Sequence, residues 1–487
     1  MTSIIKGTAY YTLGNVLPQL AGFLLLPVYS KYMTPSQFGI VAAMETINAI
    51  FAIIVCCSLD RAAQRFYFDS DKLDVQKKIL STLFIASMAF AIIFLVMALL
   101  AEPLLQPIFK SIPFHPYFIY CIASVSLNSL SLITTLYYQV SEQPRLYLLL
   151  RTFRLFTQVL LTVSFVVFLR SGAEGQLQAE LLTVLLFSPI YLVIAHRNFN
   201  WQFDFNILKK ALAYSWPFIP TLLVAWILNL SDRIFLDYFI GLDSLGIYSM
   251  GYKISMAFFI FTGAFTMAYM PIFYKLANSE SQIGAKEKIY KYSFYSAVFF
   301  VILVFLFSLF AKEIVAFALD DKYESSYPLI RLFLISHILS AIMGITSSLF
   351  LLQAKLTKLN MFISLQAGLL NLLLNYLLIP YYGVYGAAVA TVLSIIELTI
   401  IQYHVSKVGY FVVFPWGKIS FILALLGTII GSYHFYLESF SLEATVSKII
   451  LLSLFLLALY WKRFAIQLLL KEAGLLDQAP LLRENLH

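Results

Sequence analysis

Charge is scarce in this sequence. Asp, Glu, Lys and Arg make up 12% of its 487 residues, about half the share of a soluble domain. Polar linkers are also missing, and the largest polar stretches run to about twenty residues, too short for a folded extramembrane domain. That argues against a membrane glycosyltransferase or polymerase, which needs a sizeable external loop for its chemistry. It also leaves no room for an ATP-binding domain, and no GxxxxGKS/T phosphate loop occurs. HExxH, GxSxG and paired-cysteine metal motifs are absent too, so no catalytic constellation stands out. There are three cysteines, Cys56, Cys57 and Cys121. All lie within or at the edge of apolar runs without metal-ligand spacing, and read as small buried hydrophobes. The opening segment has no small-residue cleavage site and reads as a first membrane span rather than a signal peptide.

What the chain has is apolar surface. It is 61% hydrophobic and 16% aromatic, in successive runs of roughly 17–25 residues that can each cross a ~30 Å hydrocarbon core. The pattern predicts an all-α membrane protein with about fourteen transmembrane helices. Six lie near 8–30, 37–58, 79–101, 117–139, 146–169 and 177–195. Six more lie near 212–236, 245–271, 292–311, 327–353, 360–380 and 383–404, and two near 418–436 and 447–462. The net charge of +8 does not point to nucleic acid, because the basic residues sit in short loops instead of on one water-facing surface. With the N-terminus in the cytoplasm, cytoplasmic loops hold roughly 23 Lys and Arg against roughly 5 on the opposite side, the bias that sets topology. Both termini are then expected in the cytoplasm.

An internal repeat is visible at a constant offset of 207. Tyr32-Met-Thr-Pro-Ser-Gln-Phe-Gly-Ile40 aligns with Phe239-Ile-Gly-Leu-Asp-Ser-Leu-Gly-Ile247, and Arg65-Phe-Tyr67 with Ile272-Phe-Tyr274. An even number of spans per half gives both halves the same orientation, a parallel repeat with a cavity at its interface. The expected organisation is a six-helix lobe over 1–200, a second over 205–408, two further spans over 415–465 and a cytoplasmic tail over 466–487.

Several motifs resemble a known family. Asn371-Leu-Leu-Leu-Asn375-Tyr-Leu-Leu-Ile-Pro-Tyr-Tyr-Gly383-Val-Tyr-Gly386-Ala-Ala-Val-Ala-Thr391 resembles the eleventh-to-twelfth-span signature of polysaccharide-biosynthesis membrane proteins. Tyr214-Ser-Trp-Pro217-Phe-Ile-Pro220 followed by Ser231-Asp232-Arg233 resembles their seventh span. Met33-Thr-Pro-Ser-Gln-Phe-Gly39 and Gly241-Leu-Asp-Ser-Leu-Gly-Ile-Tyr248 resemble the turns after spans one and seven. The likeness covers residues 1 to about 404 and is to the lipid-linked oligosaccharide (O-antigen repeat-unit) flippases. Their superfamily also holds multidrug exporters and the peptidoglycan-precursor flippase. The resemblance implies a bacterial inner-membrane transporter, not an enzyme. It would turn an undecaprenyl-diphosphate oligosaccharide from the cytoplasmic to the periplasmic leaflet by alternating access. Membrane lipids, a glycan polymerase and a chain-length regulator are the further partners it implies. No cofactor is expected beyond a coupling ion, H+ or Na+. The alternative within the superfamily is a multidrug or organic-cation exporter, whose cavity should be lined with acids. A non-transporting scaffold for glycan assembly is a further reading.

Moving a diphosphate through hydrocarbon needs a polar cavity and cations, and the planar fork of Arg suits phosphate oxygens. A charge at mid-bilayer costs ~2.5–3.5 kcal/mol on insertion scales, so deep charges tend to face a cavity. Arg151, Arg154, Gln158 and Thr162 share one face of span five. They read either as a phosphate site or as anchors snorkelling to the head groups. Lys253, on a face with Ser249, Ala257 and Ala264, is a second cavity candidate. Arg61 and Arg65 at the end of span two are either substrate contacts or positive-inside anchors. Arg233 beside Asp232 is either a substrate contact or half of a self-neutralising pair. For ion coupling the candidates are Glu45, Glu397 and Asp232, because a desolvated carboxyl exchanges protons near neutral pH; the bland alternative is a carboxyl hydrogen-bonded between helices. His337 reads as a packing hydrogen-bonder before a proton relay. Polar faces on span four (Ser124, Asn128, Ser131, Thr135, Tyr138) and span eleven (Ser364, Gly368, Asn371, Asn375) fit either a wet interior or helix packing. Pro217 and Pro220 are expected to break span seven.

Overall fold

The structure, a computed structural model, describes residues 2–277, 282–347, 354–409 and 417. Every regular element among them is helical. The first half comprises α1 (Thr2–Leu24), α2 (Leu26–Tyr32), α3 (Pro35–Cys56), α4 (Leu59–Phe66), α5 (Leu73–Leu100), α6 (Glu102–Leu105), α7 (Ile119–Val140), α8 (Pro144–Val163) and α9 (Gly172–Asn198). It continues through α10 (Phe205–Ser215), α11 (Phe218–Leu230), α12 (Asp232–Phe239), α13 (Leu242–Ser255), α14 (Ala257–Ala277) and α15 (Gln282–Leu309). The last are α16 (Ala311–Ala318), α17 (Tyr327–Ser347) and α18 (Ala354–Gly409). Among the described residues ten helices are long and apolar enough to cross a membrane, or eleven with the bent pair α10–α11 read as one span. The first twelve expected spans each have their helix once α18 is read as two arms; the last two, near 418–436 and 447–462, lie outside the described residues.

The 56 residues of α18 are such a fold-back. Gly383 adopts φ +59° and ψ −137°, a left-handed conformation that favours glycine. Hydrogen bonds then pair the arms: Gln366 with Glu397 at 2.6 Å and Gln402 with Asn360 at 2.7 Å. The partners' numbers rise on one arm as they fall on the other, so the arms are antiparallel. Side-chain volume is excluded near the turn, where a Cβ on Gly386 would sit 2.5 Å from the Leu378 carbonyl oxygen.

Span seven is broken as its prolines predict. α10 and α11 are bent by 44° at Trp216–Pro217, because a proline removes a helix donor and clashes with the preceding turn. The two pieces have different neighbours. α10 packs on α4 and α5, whereas α11 packs on α18 and α3. Ser215 Oγ donates to the Ser58 carbonyl at 2.9 Å, and the Arg61 guanidinium lies 4.6 Å from the Phe218 ring centre.

The described residues of 1–263 and 314–409 form one compact unit, and those of 264–313 belong to a second. The first unit contains the longer repeat segments, 32–40 and 239–247, and they meet face to face. α3 starts at a capping box in which Thr34 Oγ1 accepts from Gln37 N–H at 3.2 Å and Gln37 Oε1 accepts from Thr34 N–H at 3.1 Å. From there it crosses α13 so closely that a Cβ on Gly39 would stand 2.2 Å from the Leu242 carbonyl oxygen. A Cβ on Gly246 would stand 1.8 Å from the Pro35 carbonyl oxygen. Both pairs are related by the 207-residue offset, so the contact is reciprocal: the internal repeat is the sequence trace of a helix crossing that only two glycines permit. Further ties lie at this end. Asp320 N–H donates to Ser30 Oγ at 3.2 Å, and Tyr323 Oη to the Met33 carbonyl at 3.3 Å.

Candidate functional site

α8 positions the cationic face. Its Phe153, Phe156 and Leu160 are 66%, 67% and 67% exposed, an apolar stripe facing outward to lipid. Arg151, Arg154 and Gln158 fall on the opposite face, by the 3.6-residue period. That inward face forms one wall of a cavity of about 560 Å³. The facing wall is α7, through Asn128, Ser131, Thr135 and Gln139. α9 contributes Gln176, Glu180 and Tyr191, α4 contributes Asp60, and Pro18 of α1 closes an edge. The polar stripe expected on span four therefore meets the basic stripe expected on span five. Thr162 of that stripe is fully buried, and Ser124 is 3% exposed; neither lines the cavity.

Both arginines are held by aromatic side chains. Arg154 Nη1 donates to Tyr191 Oη at 3.4 Å, and the Arg151 guanidinium lies 5.6 Å from the Tyr147 ring centre. Tyr147 is itself fixed by donating to Asn15 Oδ1 at 2.8 Å. Among the described residues neither arginine is in an ion pair. Glu180 is not paired with them either; Asn48 Nδ2 donates to its Oε1 at 2.8 Å. Tyr29 donates to the neighbouring Gln176 at 3.0 Å. The cavity thus carries two cations and two carboxylates, Asp60 and Glu180, on separate walls.

A second charged group lies at the crossing of the halves. Lys253 Nζ donates to Glu45 Oε1 at 2.6 Å, with 28% and 43% of the two side chains exposed. Glu45 and Lys253 thus neutralise each other across α3 and α13. Glu180 has Glu45, Arg154 and Lys253 as its charged neighbours, so the pair and the cavity share one electrostatic environment.

The other predicted residues are elsewhere. Arg233 and Asp232 form a buried pair at 3.1 Å, each side chain 5% exposed. Arg233 also donates to the Asn229 carbonyl at 2.8 Å, and Tyr248 donates to Asp232. Arg65 is exposed and paired with Asp69. Arg61 is exposed on α4, while its neighbour Asp60 faces the cavity. Glu397 accepts from Gln366, and its buried Oε2 has no partner among the described residues. His337 is buried, with Ser255 Oγ at 2.9 Å and the Phe259 ring 4.5 Å away. Asn371 and Asn375 are buried and bond to each other at 3.0 Å, so the span-eleven stripe packs helices.

Sequence reasoning missed Glu180, Gln176 and Tyr191. Placing the start of span six near 177 left Glu180 close to a membrane surface. The helix starts at Gly172, which puts Glu180 about 12 Å along it at 1.5 Å per residue. The signal was present: Gln176 and Glu180 are four apart and share a helix face.

A family model described as polysaccharide biosynthesis protein matches residues 4–277, more than half of the chain. A curated relative, the Lsg locus putative protein 1 of Haemophilus influenzae, is 21% identical over 345 residues, covering 69% of this chain and 82% of its own. An uncharacterized membrane protein of Methanocaldococcus jannaschii is 21% identical over 418 residues, covering 82% and 97%. Among solved structures, the lipid II flippase MurJ in an inward closed conformation superposes with a TM-score of 0.72 at 13% identity, over 94% of this chain and all of that one. An inward-facing multidrug resistance MATE transporter of the MOP superfamily superposes with a TM-score of 0.64 at 14% identity, over 85% and 98%. These likenesses carry the fold alone, a many-helix membrane architecture. The motifs around Gly39, Pro217 and Gly246 lie inside the matched region, and the chain belongs to the polysaccharide biosynthesis protein family.

Proposed function

We propose that this protein is a flippase for an undecaprenyl-diphosphate-linked oligosaccharide, an O-antigen or related surface-polysaccharide repeat unit. It moves its substrate from the cytoplasmic to the periplasmic leaflet of the bacterial inner membrane by alternating access, with both termini cytoplasmic. The observation that carries this reading is the pair Arg151 and Arg154, side by side on the wall of a polar cavity and without a carboxylate partner. Arginine forks held ready in that way suit a diphosphate, and the amide and hydroxyl wall opposite suits a sugar. Lys253, Arg61, Arg65 and Arg233 are already engaged by Glu45, Phe218, Asp69 and Asp232 and rank behind the two arginines as substrate contacts. An ion gradient, H+ or Na+, drives the cycle through Glu45, Glu397 or Asp232. A glycan polymerase and a chain-length regulator are the downstream partners.

Multidrug export is the second reading, and Asp60 and Glu180 on the cavity wall are what favour it. Deleting the gene and analysing the lipid-linked glycans separates the two. A flippase deletion accumulates undecaprenyl-linked repeat units, and Arg154→Ala lowers surface glycan at unchanged protein abundance. Normal glycan in both strains, with increased drug sensitivity in the deletion, supports the exporter instead.

A further inference from the structure

The cavity is bipolar, and that bears on which glycan it takes. Two carboxylates are expensive in a chamber built for a diphosphate, since each repels the ligand at low effective dielectric. Carried on a different helix from the arginines and in no ion pair with them, a carboxylate has a different use. It accepts two hydrogen bonds, and hydrogen bonds to an ionised acceptor are the strong ones. Adjacent hydroxyls on a sugar ring are donors at the matching spacing. Glu180 is held for that task. Asn48 occupies Oε1 from the α3 side at 2.8 Å, which anchors the carboxylate, and Oε2 accepts no hydrogen bond from the described residues. Gln176, one turn earlier on α9, lies beside it on the cavity surface. Tyr191, about three turns further along the same helix, also lines the cavity and accepts from Arg154.

We infer that Glu180 is a glycan-recognition residue, and that the sugar attached to the diphosphate is a neutral, hydroxyl-bearing one and not a uronic or other acidic sugar. This rests on the lipid-linked reading above. The arginines take the diphosphate, Lys253 is held by Glu45, and the described lining offers no further cation for a sugar carboxylate. Glu180 takes the ring hydroxyls and rejects a carboxylate placed against it by like-charge repulsion. Asn48 is a positioning residue that acts through Glu180.

The test uses the purified full-length protein in lipid nanodiscs and three probes: undecaprenyl diphosphate, the same lipid carrying one N-acetylglucosamine, and the same lipid carrying one glucuronic acid. Wild-type protein should prefer the N-acetylglucosamine lipid over the bare diphosphate by about tenfold, the scale of one or two charge-assisted hydrogen bonds. It should bind the glucuronic acid lipid no better than the bare one. Glu180→Gln should tighten the bare diphosphate, because a repelling anion has gone, while collapsing the preference for the neutral sugar and weakening discrimination against the acidic one. Asn48→Ala should reduce the same preference without removing it. If Glu180→Gln shifts all three affinities by one common factor, or if wild-type protein takes the glucuronic acid lipid as readily as the neutral one, the inference is overturned while the flippase reading stands. If wild-type protein binds none of the three, the lipid-linked reading fails and this inference with it.

Discussion

Adding one methyl group at the glycine crossing should change which conformation the protein favours. In Gly246→Ala the new carbon would fall 1.8 Å from the Pro35 carbonyl oxygen, 2.7 Å from its carbon and 3.1 Å from the Gly39 nitrogen. All three are backbone atoms, in a first helical turn fixed by Pro35 and the Thr34–Gln37 capping box, so no side chain can rotate away. Ordinary contact begins near 3.4 Å, so α3 and α13 must part by roughly 1.2–1.6 Å. Overpacking of this kind costs about 1–3 kcal/mol. If the alternative state separates these helices, it escapes that cost, and the equilibrium moves towards it by roughly 5- to 150-fold. Gly39→Ala, at 2.2 Å from the Leu242 oxygen, should act in the same direction and somewhat less. Gly22→Ala, with nothing within 4 Å, is the control. Spin labels at Lys110 and Asp321, in a background with the three cysteines replaced, report the separation by pulsed electron resonance. A longer-distance population should grow in the crossing variants and not in the control. Unchanged distances together with unchanged thermal stability in Gly246→Ala would refute the claim that this crossing holds the observed state together.

Arg233→Ala leaves Asp232 buried without its cation, and stability should fall by about 3–5 kcal/mol, seen as loss of folded protein in a thermal-stability assay; a normal melting curve would show that the pair is dispensable to the fold. For the Glu45–Lys253 pair, half open to its surroundings, a double-mutant cycle in stability should give a coupling of about 1 kcal/mol, with zero coupling meaning that the contact is incidental. The Lys78 ammonium hydrogen-bonded to Asp204 at 2.7 Å, with the backbone N–H of Asn206, holds the Asp204 carboxyl below the usual carboxylate range. Its contribution is therefore complete above the unfolded value of about 3.9 and is lost as pH falls through the lower folded value. The stability difference between wild type and Asp204→Asn should shrink on acidification below about pH 4; a difference independent of pH would remove the ionised carboxylate from the explanation.

Composition and periodicity alone determined that the chain is a membrane-spanning helical protein. Hydrocarbon tolerates no unpaired backbone, so a run of apolar residues has few structures open to it. The same physics made charged residues conspicuous, which is why the basic face of α8 and the polar face of α7 were readable, as was the proline break before Phe218. Tertiary structure decided which charges meet. Glu45 and Lys253 are 208 positions apart, and each was readable only as a lone buried charge. Asp232 and Arg233 are adjacent in sequence, yet whether they neutralise each other or face a cavity depended on packing by Tyr248 and Tyr252. Glu180 became visible only when α9 proved to begin five residues before the expected span, because helix ends are set by turn geometry and not by hydropathy. The glycines at 39 and 246 were a weak internal echo in sequence. Folding turned them into a contact, because only the crossing of two helices shows what a missing Cβ makes room for.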